Sequence, residues 1–251
     1  MIMSKLIKIF PSPYELAESL AHDIVNKITE AGPEKHIFTI AVSGGTTPGI
    51  LFSVMGDHYS ASADWKCVHF FWVDERCVPP SDQESNFRMV KTAFLNKTDI
   101  PESNIHRIKG EDDPEREAIR YSKELNESTE KENGFPALDI TLLGLGDDGH
   151  VASIFPGNEH LFNTDRICLS SVHPTTGQKR ITLSGKVINN SRNIFFMVTG
   201  SKKALIVNNI LSKELSDKLY PASYVDAQSG ETFWYIDDDA GSLLQVKTEI
   251  E

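Results

Sequence analysis

The sequence predicts an α/β protein: one mostly parallel sheet with helices on both faces. Three observations carry this. Short apolar runs, rich in β-branched or aromatic residues, recur at 36–42, 68–73, 138–143 and 193–199. Stretches of helical periodicity alternate with them. Several of the runs end in glycine-rich or charged clusters, as strands do where an open parallel sheet presents its ligand-binding rim.

The elements follow in order. Ser12-Pro13 opens a helix, with serine as N-cap and proline in the first turn. Leu16, Leu20, Ile24 and Ile28 repeat every fourth residue beside Ala17, Ala21 and Val25, and Gly32-Pro33 ends the run. His36 to Val42 is a strand, 43–48 a loop, and a short helix follows. Val68 to Val73 is the next strand. Asn86 to Leu95 reads as a helix with Phe87, Val90 and Phe94 inward, and Glu115 to Ser128 as a very polar outer helix. Residues 129–136 read as a polar loop. Further strands are expected at Ile167–Val172, Arg180–Ser184, Asn193–Thr199 and Thr232–Ile236, with helices at Lys202–Leu211 and 240–250. No repeat, low-complexity linker or composition break divides the chain, so 1–251 is expected to be one domain.

Composition narrows the function. A chain of 251 residues buries a core large enough to need no staple. Cys67, Cys77 and Cys168 form an odd set without metal-ligand spacing and read as free thiols in a reducing compartment. A net charge of −11 argues against a nucleic-acid surface. It leaves room for an anionic small molecule held by a few focused cations. No run approaches the ~18 apolar residues of a membrane span, and Met1–Phe10 lacks a signal-peptide core. A cytoplasmic protein is expected, as monomer or small homo-oligomer.

Three segments carry chemistry. In Gly144-Leu145-Gly146-Asp147-Asp148-Gly149-His150 an apolar strand runs into a glycine-rich turn that presents carboxylates and an imidazole. Glycine permits close backbone approach, and histidine moves protons near neutral pH. In Ser43-Gly44-Gly45-Thr46-Thr47-Pro48 free amides, hydroxyls and a helix N-terminus suit a phosphate or carboxylate. A plain strand-to-helix turn is the alternative. Neither this loop nor Thr182–Lys186 has the glycine spacing of a Walker A loop or a dinucleotide fingerprint. In Asp74-Glu75-Arg76, directly after a strand, Arg76 can grip a phosphate in bidentate fashion, or the triplet is a surface charge cluster. Arg180, and Lys202 or Lys203 after Val198-Thr199-Gly200-Ser201, can complete an anion pocket. His160 lies ten residues beyond His150 and His173 on another segment, so no metal site is expected.

These segments resemble the motifs of the 6-phosphogluconolactonases. So do Asp74–Pro79 with Ser85-Asn86, the string Asp148-Gly149-His150-Val151-Ala152-Ser153-Ile154-Phe155-Pro156-Gly157, Arg180–Ser184 and Val198–Ala204, all in family order over nearly the whole chain. Thr46 stands where serine is commoner and Ser184 where threonine is frequent. The resemblance implies a Rossmann-like sheet shared with glucosamine-6-phosphate deaminases and ribose-5-phosphate isomerases. It also implies hydrolysis of 6-phospho-D-glucono-1,5-lactone in the pentose phosphate pathway, with no metal or organic cofactor. The deaminase pattern carries Asp-Gly-His-Ile-Ala-Phe-Asn-Glu-Pro; here Ser153 replaces its Phe and Phe155 stands at its Glu, and Asp-Glu-Tyr becomes Asp74-Glu75-Arg76. Both departures favour the lactonase. A non-catalytic sugar-phosphate sensor would want a DNA-binding module, for which residues 1–12 leave no room.

The resemblance gives His150 the role of general base. Asp148 is expected to orient its ring, and Asp74 to do similar work or to hold sugar hydroxyls. Arg76, Arg180 and Lys203, the last chosen over Lys202 from the family spacing, are expected to grip the 6-phosphate with Ser43 and the amides around Gly44, Gly45 and Thr46. No G-x-S-x-G elbow is present, so water is expected to attack directly.

Overall fold

The computed structural model describes residues 6–32, 37–212 and 220–244. Its main sheet has seven strands, all parallel: β1 Leu6–Phe10, β2 Phe38–Val42, β3 Val68–Trp72, β5 Ile105–His106, β8 Ile140–Gly144, β11 Asn193–Val198 and β12 Glu231–Asp237. Their order is β1-β12-β11-β8-β2-β3-β5. All five residues of β2 are buried, as are most of β3, β8 and β11. Strands covered on both faces read as continuous apolar runs, which is why the sequence showed them. From β2 the chain steps outward through β3 to β5, and from β8 it steps the other way through β11 to β12. The strand order therefore reverses between β2 and β8, and an open α/β sheet binds ligands at such a point.

Helix α1, Pro13–Ala31, is capped by the Ser12 hydroxyl, which accepts from the Glu15 amide, and ends at Gly32 with φ 72°. It packs on α2, Thr46–His58. Helix α3, Asn86–Ala93, starts at an Ser85 cap, and Phe94 is buried just past its end. In α4, Pro114–Ser128, the polar face is outward as expected, while Ala118, Tyr121 and Leu125 pack inward. Three shorter helices complete the set: α5 Gly185–Asn189, α6 Ala204–Leu211 and α7 Asp238–Gly241.

Four features depart from expectation. Leu6–Phe10 is an edge strand on β12. Residues 129–136 are not a loop: β6 Glu130–Glu132 and β7 Phe135–Ala137 form a hairpin through Asn133 and Gly134, both at positive φ. The expected terminal helix is only α7, and residues 245–250 of it, like the His36 start of β2, lie outside the described residues. Finally, β4 Asp74–Arg76, β9 Cys168–Val172 and β10 Lys179–Leu183 leave the main sheet and form their own antiparallel sheet in the order β4-β10-β9. Val73 joins the two sheets. Its N–H donates to Val42 O at 2.9 Å, and its carbonyl accepts from Leu183 N at 2.8 Å. Where β3 diverges, the buried Tyr121 hydroxyl accepts from Trp72 N at 2.7 Å and donates to Trp72 O at 3.0 Å, satisfying both groups.

Candidate active site

A cavity of about 510 Å³ lies over the reversal point. The loops after β2, β8 and β11 form much of its wall, β4 and β10 bring Asp74, Arg76 and Arg180 from the second sheet, and α3 adds Asn86. Ser43 ties the two central strands together. Its hydroxyl donates to Leu142 O at 2.9 Å and accepts from Gly144 N at 3.2 Å. That side chain is already engaged twice with backbone. Gly45, at φ 110°, precedes the first turn of α2, whose N-terminus has no side-chain cap. The Thr46 and Thr47 amides at this end can therefore receive an anion.

His150 closes a tight turn in which Gly146 N donates to His150 O at 2.9 Å. A Cβ on Gly146 would stand 2.1 Å from His150 Nδ1, so only glycine admits the ring here. His150 Nδ1 lies 2.6 Å from Asp148 Oδ1, which also accepts the His150 amide at 3.1 Å. The carboxylate fixes the proton on Nδ1 and leaves the Nε2 lone pair for the cavity. Burial by itself would raise the Asp148 pKa, but the His150 hydrogen bonds outweigh it and hold the carboxyl at about 2. Asp74, in contrast, does not touch His150. It accepts from Ser153 Oγ at 2.6 Å and from Asn86 Nδ2 at 3.4 Å, and is buried.

Arg76 and Arg180 face each other across the β4–β10 pairing. Both Nε atoms are buried without a hydrogen-bond partner among the described residues. Burial first, then the charge of Arg76, push the Arg180 guanidinium below its ordinary pKa. Two abutting guanidiniums with unmet donors favour an anion between them. Lys203 lines the same cavity and pairs with Asp147, whose carboxyl this contact lowers. Lys202 is exposed and is not part of the wall. Glu75, the middle of the charged triplet, turns away: it accepts from the amides of Arg76, Asn86 and Phe87 and from Ser85 Oγ. Burial raises its pKa, and those amide bonds partly offset the rise.

Ser43, Gly44, Gly45, Thr46, Asp74, Arg76, His150, Arg180 and Lys203 thus share one cavity, with Asp148 behind His150. Sequence reasoning missed His173, which also lines it, and Ser153, which orients Asp74. The Thr175-Thr176-Gly177 turn between two strand candidates was the available signal for His173, since a hairpin there returns it beside Arg180. Among the described residues, no cluster of three or more His, Cys, Asp or Glu is arranged to hold a metal ion.

The profile of the family described as glucosamine-6-phosphate isomerases/6-phosphogluconolactonase matches residues 11–234. The chain belongs to this family. Among its relatives, the 6-phosphogluconolactonase of Treponema pallidum is 39% identical over 199 residues, 79% of this chain and 83% of its own. That of Haemophilus influenzae is 37% identical over 236 residues, 94% and 98% of the two chains. The solved 6-phosphogluconolactonase of Trypanosoma cruzi superposes with a TM-score of 0.87 at 28% identity, covering 98% of each chain. Each motif segment that the sequence resemblance singled out contributes to the cavity over the β2–β8 reversal, through Ser43–Pro48, Asp74, Arg76, Asn86, His150, Arg180 and Lys203 among others.

Proposed function

We infer that this chain is a 6-phosphogluconolactonase, hydrolysing 6-phospho-D-glucono-1,5-lactone to 6-phosphogluconate in the oxidative pentose phosphate pathway. The observation that carries the mechanism is an imidazole tethered at 2.6 Å by Asp148, in the same cavity as the Arg76–Arg180 pair. His150 Nε2 takes a proton from water as its oxygen attacks C1. The C1–ring-oxygen bond then breaks, and the departing ring oxygen receives that proton. General-base help of this kind is worth ~10²–10⁴-fold. Arg76, Arg180 and Lys203 grip the phosphate with the Gly44–Thr46 amides, and remote binding holds the lactone against the water. Asp74, fixed by Ser153 and Asn86, holds sugar hydroxyls.

The deaminase pattern fits less well. Phe155, 1% exposed, packs its ring 4.8 Å from His150 where that pattern has a carboxylate. The same reading takes 1–251 as one domain, supported by a continuous buried core. Among the described residues no helix is long and apolar enough to cross a membrane. With free cysteines at 67, 77 and 168, this supports a cytoplasmic enzyme, monomer or small homo-oligomer, acting on a small substrate.

The test is the rate of lactone loss, corrected for spontaneous hydrolysis, with parent and His150→Ala side by side. The parent is expected to be fast. The variant should lose about 10²–10⁴-fold in kcat with KM nearly unchanged. A parent no faster than the blank would overturn the activity, and an active variant would remove His150 from it.

A further inference from the structure

His173 is the one cavity histidine that the proposed mechanism leaves without a task. It follows β9 and opens the turn into β10. That turn is closed on itself: His173 N donates to Gln178 O, and Gly177 N to His173 O, both at 2.9 Å. The imidazole takes part. Nδ1 accepts from the amides of Thr175 and Thr176 at 3.2 and 3.3 Å. A nitrogen that accepts two N–H groups carries no proton, so the ring's proton sits on Nε2. Nε2 has no partner among the described residues. The ring stands 5.0 Å from Phe155, whose ring in turn stands 4.8 Å from that of His150. His173 is therefore a neutral, oriented N–H donor in the same wall as the general base. The cations of the cavity answer the charge of an anionic substrate. A neutral donor is suited to what remains, an uncharged oxygen.

We propose that His173 is a specificity-determining residue, its Nε2–H donating to a sugar hydroxyl of the phosphorylated lactone. The assignment rests on the lactonase reading above. It separates the sugar from the bare phosphate, because only the sugar carries that oxygen.

Two substitutions divide the ring's two jobs. In His173→Asn the amide oxygen can replace Nδ1 as acceptor for the Thr175 and Thr176 amides, but no donor reaches the Nε2 position. In His173→Gln the amide nitrogen can reach the Nε2 position, while the loop acceptor is lost. The measurements are kcat and KM for lactone hydrolysis, and inhibition constants for inorganic phosphate and for 6-phosphogluconate. His173→Asn is expected to raise KM and the 6-phosphogluconate constant about three- to ten-fold, the loss of one neutral hydrogen bond. Its kcat should stay within about twofold, as for uniform binding, and the phosphate constant should not move. His173→Gln should recover much of the lost affinity. If Asn matches the parent while Gln is impaired, the ring only braces its loop and the proposal falls. It also falls if phosphate and 6-phosphogluconate weaken alike. An inactive parent would instead overturn the lactonase reading, an outcome that the variants do not affect.

Discussion

Asp148 and His150 constrain each other, and the constraint can be titrated. The Asp148 carboxyl is held at about 2, against an ordinary 3.8, by hydrogen bonds from His150 that outweigh burial. The sign follows from linkage: a depressed carboxyl contributes stability that is fully present above 3.8 and is lost as pH falls through about 2. Carboxyl carbon NMR should therefore place the parent Asp148 midpoint near 2. In His150→Ala the imidazole's hydrogen bond and charge are lost while burial and the residue-150 amide remain, and the midpoint should rise toward the ordinary value. An unmoved midpoint would show that His150 does not hold this carboxylate. His150 itself was legible because a lone imidazole after an apolar strand, framed by Gly144, Gly146 and Gly149, has few uses besides a site. His173 was not, because its place depends on which strands pair, and pairing is a long-range outcome that local pattern does not encode.

At the scale of elements, the second sheet places Asp74, Arg76 and Arg180 in the cavity, and Glu75 anchors it. Its carboxylate joins β4 to the start of α3 through three amides and the Ser85 hydroxyl. The charge that looked like part of a binding rim is a helix anchor. Glu75→Ala strands those donors in a buried place and should cost about 2–4 kcal/mol, lowering Tm by roughly 5–15 °C. Lactone KM should rise as well, since Asn86 and Arg76 move with the anchor. A thermal melt within 1 °C of the parent, by rough allowance for a surface substitution, would refute the anchoring role. Buried strands such as β2 and β8 were plain in the sequence because burial on both faces demands unbroken apolar runs. The β6–β7 hairpin was hidden by its polar flanks, Glu130, Lys131 and Glu132, though Asn133-Gly134 is the turn dipeptide that such hairpins favour. Likewise β4 is three charged residues, held as a strand by β10 rather than by propensity.

Across the whole molecule, a net charge of −11 surrounds a cavity in which Arg76 and Arg180 press together. Burial and that repulsion disfavour the charged Arg180 in the free protein, and a bound anion relieves it. Inorganic phosphate at about 100 times its dissociation constant should stabilise the fold by about 2.7 kcal/mol, or roughly 5–10 °C in Tm. Arg180→Gln should melt at or above the parent in chloride and show little of the phosphate shift. An equal shift in the variant would place the anion elsewhere. The architecture also sets an order of assembly. The hydroxyl of Ser43 closes on Leu142 and Gly144, about a hundred residues further along. During synthesis, β2 has one neighbour, β3, and an open edge until β8 leaves the ribosome. The glycine loop that will meet the phosphate therefore waits unformed through more than a third of translation, and the centre of the sheet is closed late.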